Sequence, residues 1–317
     1  QTSLTFRVRG FTSEPLYNGF QTGGISHGTD NVGRVEVSKG ANSVLYGQSP
    51  AGGVINLVPK APQFTDHSRL TVGAGSNDST RVIFEMGGPT ASENTGKASA
   101  YRFGGSHQEF EREQIFFHAQ LQTFWGAHTW QFNENVTLEL QTEILEFENT
   151  PSRTPAFVST GSGPDRVVDP FNRLRNDRNF SYNGPHSFNE RDTWLSTGFL
   201  TVNLSDSLTA RAGVFFGEQD ENSIVLGDMY GLGTNENANP RYTKSNVARA
   251  TFAQKIDLLH QIQFGSLRFD SLLGFENHEE DSTSLSLRQD RDAFPTPVLI
   301  PFSRKPVASD YPAPPPP

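Results

Sequence analysis

From Arg69 onward, apolar and polar residues alternate with period two. In Val136-Thr137-Leu138-Glu139-Leu140-Gln141-Thr142-Glu143-Ile144 the even positions are apolar, with Thr142, and the odd ones mostly charged or amide. A β-strand turns successive side chains to opposite faces, so this stretch has one greasy face and one polar face. The parity recurs at Leu200/Val202/Leu204 against Thr197/Thr201/Asn203, and at Leu208/Ala210/Ala212/Val214/Phe216 against Thr209/Arg211. It returns at Ala248/Ala250/Phe252/Ile256/Leu258 against Arg249/Thr251/Lys255/Asp257, and at Leu267/Phe269/Leu273/Phe275 against Arg268/Asp270/Glu276. Weaker cases are Leu70/Val72/Ala74, Val82/Phe84/Met86 and Tyr101/Phe103; with the stretch from Leu121 to Phe132 the pattern predicts nine strands.

The connections alternate in length. Short turns are expected near Gly88 to Gly96, at Asn133-Glu134-Asn135, at Ser205-Asp206 and at Phe264-Gly265-Ser266. Long polar segments lie between them, at Asn149 to Arg191, Glu218 to Lys244 and from Asp281 onward, with shorter ones near Ser76 to Asp78 and Gly105 to Arg112. A soluble sandwich has no reason to gather its short turns at one end, whereas a transmembrane β-barrel has short periplasmic turns and long extracellular loops. Mid-strand Arg, Glu and Asp are costly in a packed core and natural against a wet lumen. Trp125, Trp130, Phe132 and Phe264 near strand ends fit an aromatic girdle. Nine strands are odd, and single-chain bacterial barrels close with an even number, so the barrel is expected to be incomplete. The proline-rich Tyr311 to Pro317 cannot supply a closing strand.

Composition narrows the function classes. The 317 residues carry 26 Lys+Arg against 35 Asp+Glu, a net charge of −9, which argues against nucleic acid as a partner. Mean hydropathy is −0.52, and no apolar run approaches the ~18 residues of a membrane-spanning helix. The absence of cysteine removes disulfides, thiolate metal sites and cysteine nucleophiles. The histidines lack metal-ligand spacing, so neither catalysis nor a resident metal is expected; His278-Glu279-Glu280-Asp281 is weighed as a calcium-binding surface loop. Gln1 is not an initiator methionine, so a cut or processed N-terminus is expected.

Residues 1–62 have a different texture, with dense glycine and short apolar alternations at Leu4/Phe6/Val8, Val32/Val35/Val37 and Val54/Ile55/Leu57. No Gly-Lys-Ser/Thr follows any of the glycine turns, so phosphate binding is set aside. The series runs Phe6-Arg7-Val8-Arg9-Gly10-Phe11, Tyr17-Asn18-Gly19, Val35-Glu36-Val37-Ser38-Lys39-Gly40, Ser43-Val44-Leu45-Tyr46-Gly47 and Gly52-Gly53-Val54-Ile55-Asn56-Leu57. In order and spacing it resembles the second half of the plug of a TonB-dependent outer-membrane receptor, with the ferric-siderophore receptors as the nearest likeness.

The resemblance implies an all-β fold, a transmembrane antiparallel barrel of 22 strands around a lumenal α+β plug. Residues 1–62 would be the C-terminal part of the plug and 63–317 the first nine strands and loops of the barrel. It implies import of a ferric siderophore across the bacterial outer membrane by plug rearrangement, with no covalent cofactor. The partners would be TonB with ExbB/ExbD, acting through an N-terminal box absent from these residues, and outer-membrane lipid or lipopolysaccharide around a monomer. Cobalamin, haem or oligosaccharide are the alternative cargoes, and a secreted all-β adhesin or carbohydrate binder is the rival class. A complete barrel would need roughly 300 or more further residues, so the chain is expected to be a fragment or a truncated product, or a remnant unable to fold alone.

The plug loops expected to face outward run from Thr12 to Pro15 and from Gln21 to Gly28. Phe20, Gln21, Ser26, His27 and Thr12 offer the aromatic walls and amide or hydroxyl donors that an oxygen-rich chelate needs, and Tyr46 either joins them or packs beneath. Arg9, Arg34, Glu36 and Lys39 are expected to make plug–barrel ion pairs. Two departures weaken the expected anchoring: Gly33 stands where similar plugs carry Glu, and Ala61 where they carry an arginine that pairs with barrel glutamates.

Overall fold

The computed structural model describes residues 6–8, 11–13, 15–39, 53–91, 98–112, 116–151, 159–160, 167–168, 185–227, 237–238, 241–288 and 300–301. The N-terminal strands are β1 (Phe6–Val8), β2 (Phe11–Ser13), β3 (Leu16–Tyr17), β4 (Val32–Lys39) and β5 (Gly53–Pro59). There follow β6 (His67–Ala74), β7 (Thr80–Ala91), β8 (Ala98–Glu111), β9 (His118–Asn133), β10 (Val136–Asn149), β11 (Ser159–Thr160) and β12 (Val167–Val168). The chain continues through β13 (Phe188–Ser205), β14 (Leu208–Gly227), β15 (Asn237–Ala238), β16 (Arg241–Phe264), β17 (Leu267–Arg288) and β18 (Ile300–Pro301). No helix occurs among the described residues.

The nine strands expected from the periodicity form one antiparallel sheet in the order β17-β16-β14-β13-β10-β9-β8-β7-β6. Each strand pairs with its neighbour in the meander, as hairpin connection requires. The connections at one end span 92–97, 134–135, 206–207 and 265–266; those at the other span 75–79, 112–117, 150–187 and 228–240. Several strands run further than expected, so the long connections are shorter than the polar composition implied. Glu218 to Gly227 and Arg241 to Lys244 pair residue by residue across β14 and β16, although the sequence there is polar. A partner strand at the right spacing overrides weak intrinsic strand preference. For the same reason His278 to Asp281 lie within β17, on alternating faces, and form no surface loop.

The alternation sorts into two physical faces. Leu140, Ile144, Leu200, Val214, Phe252, Ile256 and Leu273 are all exposed on the outer face. The inner face buries Arg102, Thr123, Glu143, Arg191, Thr197, Gln219 and Thr251. An apolar outside and a polar inside invert the arrangement of a soluble protein and match a sheet with lipid on one side and a filled lumen on the other. Phe132 and Phe264 are exposed beside the short turns, as a girdle requires. Trp125 does not join them: its odd position in β9 turns it inward, where it is buried with the Arg102 guanidinium 5.5 Å from its ring centroid.

A second, three-stranded sheet, β3-β5-β4, lies against the inner face. β5 is buried along most of its length because it is the central strand, flanked by parallel β3 and antiparallel β4. Tyr17 and Phe20 form one apolar cluster with Leu195, Phe199, Phe215 and Ala253 of the large sheet. A separate cluster of Phe117, Ala119, Leu145 and Phe147 fills the inner face toward the long connections.

Candidate functional site

The site is the seam between the two sheets. After β3 the chain turns at Asn18 and Gly19, both with positive φ, and Gly19 N–H donates to Asn56 Oδ1 at 2.8 Å. Phe20 is thereby driven into the large sheet, where its ring stacks on Phe199 and Phe215 with centroids 5.5 and 5.8 Å away. Lys255 lies 4.4 Å from the same ring and donates to the Gly19 carbonyl at 3.3 Å. From there the chain climbs toward the long-connection end. Thr251 Oγ1 donates to the Thr22 carbonyl, Ser26 N–H donates to Gln219 Oε1 at 2.8 Å, and Arg191 donates to Ser26 Oγ at 3.0 Å.

Glu143 is the centre of the seam. It is 1% exposed, and its carboxylate accepts from Gly28 N–H at 2.5 Å, Asn31 Nδ2 at 2.9 Å and the Tyr17 hydroxyl at 3.3 Å. All three donors come from the small sheet and its loop, so one barrel-side carboxylate gathers the turn around itself. Burial, and next the Glu143 charge, raise the Tyr17 hydroxyl well above its ordinary 10.0, which keeps its proton in place as the donor. His27 stacks obliquely on Tyr17 with centroids 5.4 Å apart, and burial lowers its imidazole below the ordinary 6.5.

A second polar cluster joins the same seam nearer the short turns. Arg102 is 2% exposed; it donates to Asn31 Oδ1 at 2.7 Å and to the Lys60 carbonyl at 3.2 Å, and it pairs with Glu85. Lys60 shares that carboxylate at 3.2 Å. On the other flank Asp30 pairs with Arg81 and accepts from Gln108 at 3.2 Å. Beside the Arg102 cluster a cleft of about 480 Å³ separates the chain leaving β5 from the wall.

Of the ligand-contact expectations, Phe20 and His27 are buried in the seam, while Gln21 and Ser26 are half-buried along it. Thr12 lies in β2 opposite Arg7. Tyr46 and Arg9 fall outside the described residues. Of the ion-pair expectations, that for Arg34 and Glu36 needs correction. Arg34 bonds Glu36 at 2.7 Å within β4, two residues apart on the same face, and Asn56 also donates to Glu36 at 2.8 Å. The Arg34 hydrogen bond first, then that from Asn56, holds the Glu36 carboxyl below its ordinary range. Lys39 is exposed. Among the described residues, the charges that pair from the small unit to the large sheet are Asp30 and Lys60, the latter beside the Ala61 departure. Glu143, Arg102, Glu85 and Asn31 were not singled out from sequence. Parity marked Glu143 as inward, but its partners lie 112 to 126 residues away.

Residues 1–54 match the TonB-dependent Receptor Plug Domain family. The chain is 26% identical over 268 residues to the metal-pseudopaline receptor CntO of Pseudomonas aeruginosa, covering 81% of this chain and 34% of that receptor. It is 26% identical over 219 residues to the ferripyoverdine receptor of the same species, covering 62% of this chain and 24% of that protein. Among solved structures, BauA, the ferric preacinetobactin receptor of Acinetobacter baumannii, superposes with a TM-score of 0.81 at 17% identity, over 98% of this chain and 46% of that one. The chain thus spans about a third or less of the length of these two relatives.

Proposed function

We propose that this chain is part of a TonB-dependent receptor of the bacterial outer membrane, and that the whole receptor imports a ferric siderophore or a closely related metal chelate. Residues 1–62 are read as plug and 63–317 as the first part of the barrel wall around it. The observation that carries the reading is the seam at Glu143. A lumenal unit packed on the wall through the Phe20 cluster is also held by hydrogen bonds from Gly28, Asn31 and Tyr17 to one wall carboxylate, and that polar part of its hold is one that water can replace. A plug so anchored can be shifted by pulling and can settle again without refolding the barrel.

The names of the relatives, receptors for metal-pseudopaline and ferripyoverdine, favour a metal chelate over cobalamin, haem or an oligosaccharide as the cargo. Energy would come from TonB, driven by ExbB/ExbD. Candidate ligand contacts are Gln21, Ser26 and the turn around them, with Phe20 and His27 setting the turn from below.

The test is uptake of radioactive iron by iron-starved cells of the source organism, with and without the encoding gene, presented as a panel of ferric chelates. Loss of uptake of one chelate in the deletion strain, restored by the gene and abolished without TonB, is expected. Unchanged iron uptake together with lost uptake of cobalamin or haem would overturn the siderophore reading.

A further inference from the structure

We propose that the cleft between the chain leaving β5 and the barrel wall is a second seat for a small anionic, oxygen-rich ligand, on the short-turn side of the seam. Among the wall residues that line it, Glu139 and Arg211 lie four residues from the short connections 134–135 and 206–207, and His67 and Arg102 stand at and near the starts of β6 and β8, at that same end. In a barrel of this kind that end is periplasmic. The proposal rests on the transport reading only for the identity of the natural ligand, a chelate passing inward or an anion that takes its place.

Three observations point to an anion. The lining carries four permanent cations, Arg34, Lys60, Arg102 and Arg211, against two carboxylates, Glu85 and Glu139. Glu85 is already shared by Lys60 and Arg102, and Arg34 is held by Glu36. Arg211 makes no ion pair among the described residues: its guanidinium carbon lies over Phe199, 3.8 Å from the ring centroid, and its donors have no carboxylate partner there. Second, two buried polar atoms among the lining residues lack hydrogen-bond partners, the Arg102 Nε donor and the Gln141 Oε1 acceptor. Buried polar groups are rarely left unsatisfied unless something else completes them. Third, a volume of about 480 Å³ suits a compact ligand. A carboxylate or hydroxamate group satisfies the Arg211 fork, and a turn of the Gln141 side chain, whose Oε1 is buried and unpaired, lets a hydroxyl of the same ligand donate to it.

The experiment is equilibrium dialysis of radiolabelled citrate, free of iron, against the gene's full product in detergent micelles at fixed ionic strength. The variants are Arg211→Gln, Gln141→Leu and, as a control for net charge, Arg268→Gln, whose ion pair with Asp270 lies outside the cleft. The wild type and Arg268→Gln are expected to bind one citrate equally. Arg211→Gln should weaken binding about tenfold, and Gln141→Leu by a smaller factor without loss of charge. Absence of citrate binding to the wild type, or equal weakening by all three substitutions, overturns the proposal. Because citrate binding is read without iron, TonB or uptake, failure of chelate import with citrate binding intact sinks the transport reading alone. Import without citrate binding sinks the cleft alone.

Discussion

Glu143 concentrates the consequences of the fold in one side chain. Glu143→Gln keeps the shape but sets an amide donor against one of the three donors it now accepts, so docking of the plug turn should weaken by about 1–3 kcal/mol. Hydrogen exchange of the Gly28 amide in the intact receptor would report this as faster exchange, with strand amides of β10 unchanged. Phe20→Ala removes a fully buried ring from between Phe199 and Phe215, and should cost about 3–5 kcal/mol of the same docking, measured by urea unfolding of the plug in micelles. His27 adds a dependence on pH. Burial lowers its pKa below 6.5, so the docked turn holds a neutral ring; docking is unaffected above about pH 6.5 and weakens progressively as the pH falls below it. The chain has no cysteine, so a spin label on Thr29→Cys reads the turn directly. Its mobility should rise on acidification and stay flat in His27→Asn. None of these three residues' partners was legible in the sequence. A lone glutamate on a polar face looks the same whether water or a plug lies against it.

At the scale of the element, parity decides which substitutions the barrel tolerates. Val214→Arg places a charge on the exposed apolar face of β14 and should cost about 2–4 kcal/mol of folding into a bilayer near its midplane. Folding yield in lipid vesicles, compared with Thr209→Arg near the short turn, checks it; equal yields would contradict the assignment of faces. The turn after β3 obeys a different constraint. Gly23 has φ +61°, and a Cβ there would sit 2.5 Å from Thr251 Oγ1, so Gly23→Ala strains the backbone and pushes the turn off β16. The nine strands and their order of connection were readable because each carries its own two-residue period. Their ends were not, because the ladder between β14 and β16 extends through polar residues that only a partner strand makes regular.

For the whole molecule, β6 and β17 are the edges of the large sheet among the described residues, and β17 is 22 residues long. An unpaired strand of that length is a template for association, so residues 1–317 expressed alone in micelles should self-associate, as sedimentation velocity would show. The sequence by itself determined the all-β class, the nine strands, which face of each is apolar, and the plug-like texture of the first sixty or so residues, because period-two alternation and glycine turns are local properties of the chain. Only the tertiary structure decided which charges meet. Asp30 and Lys60, not Arg34 and Glu36, reach the wall, and Glu143 accepts from residues more than a hundred positions away. Such pairings depend on where one sheet lies against another, and that docking is set by the shape of the Phe20 cluster and the polar seam together, which no periodicity encodes.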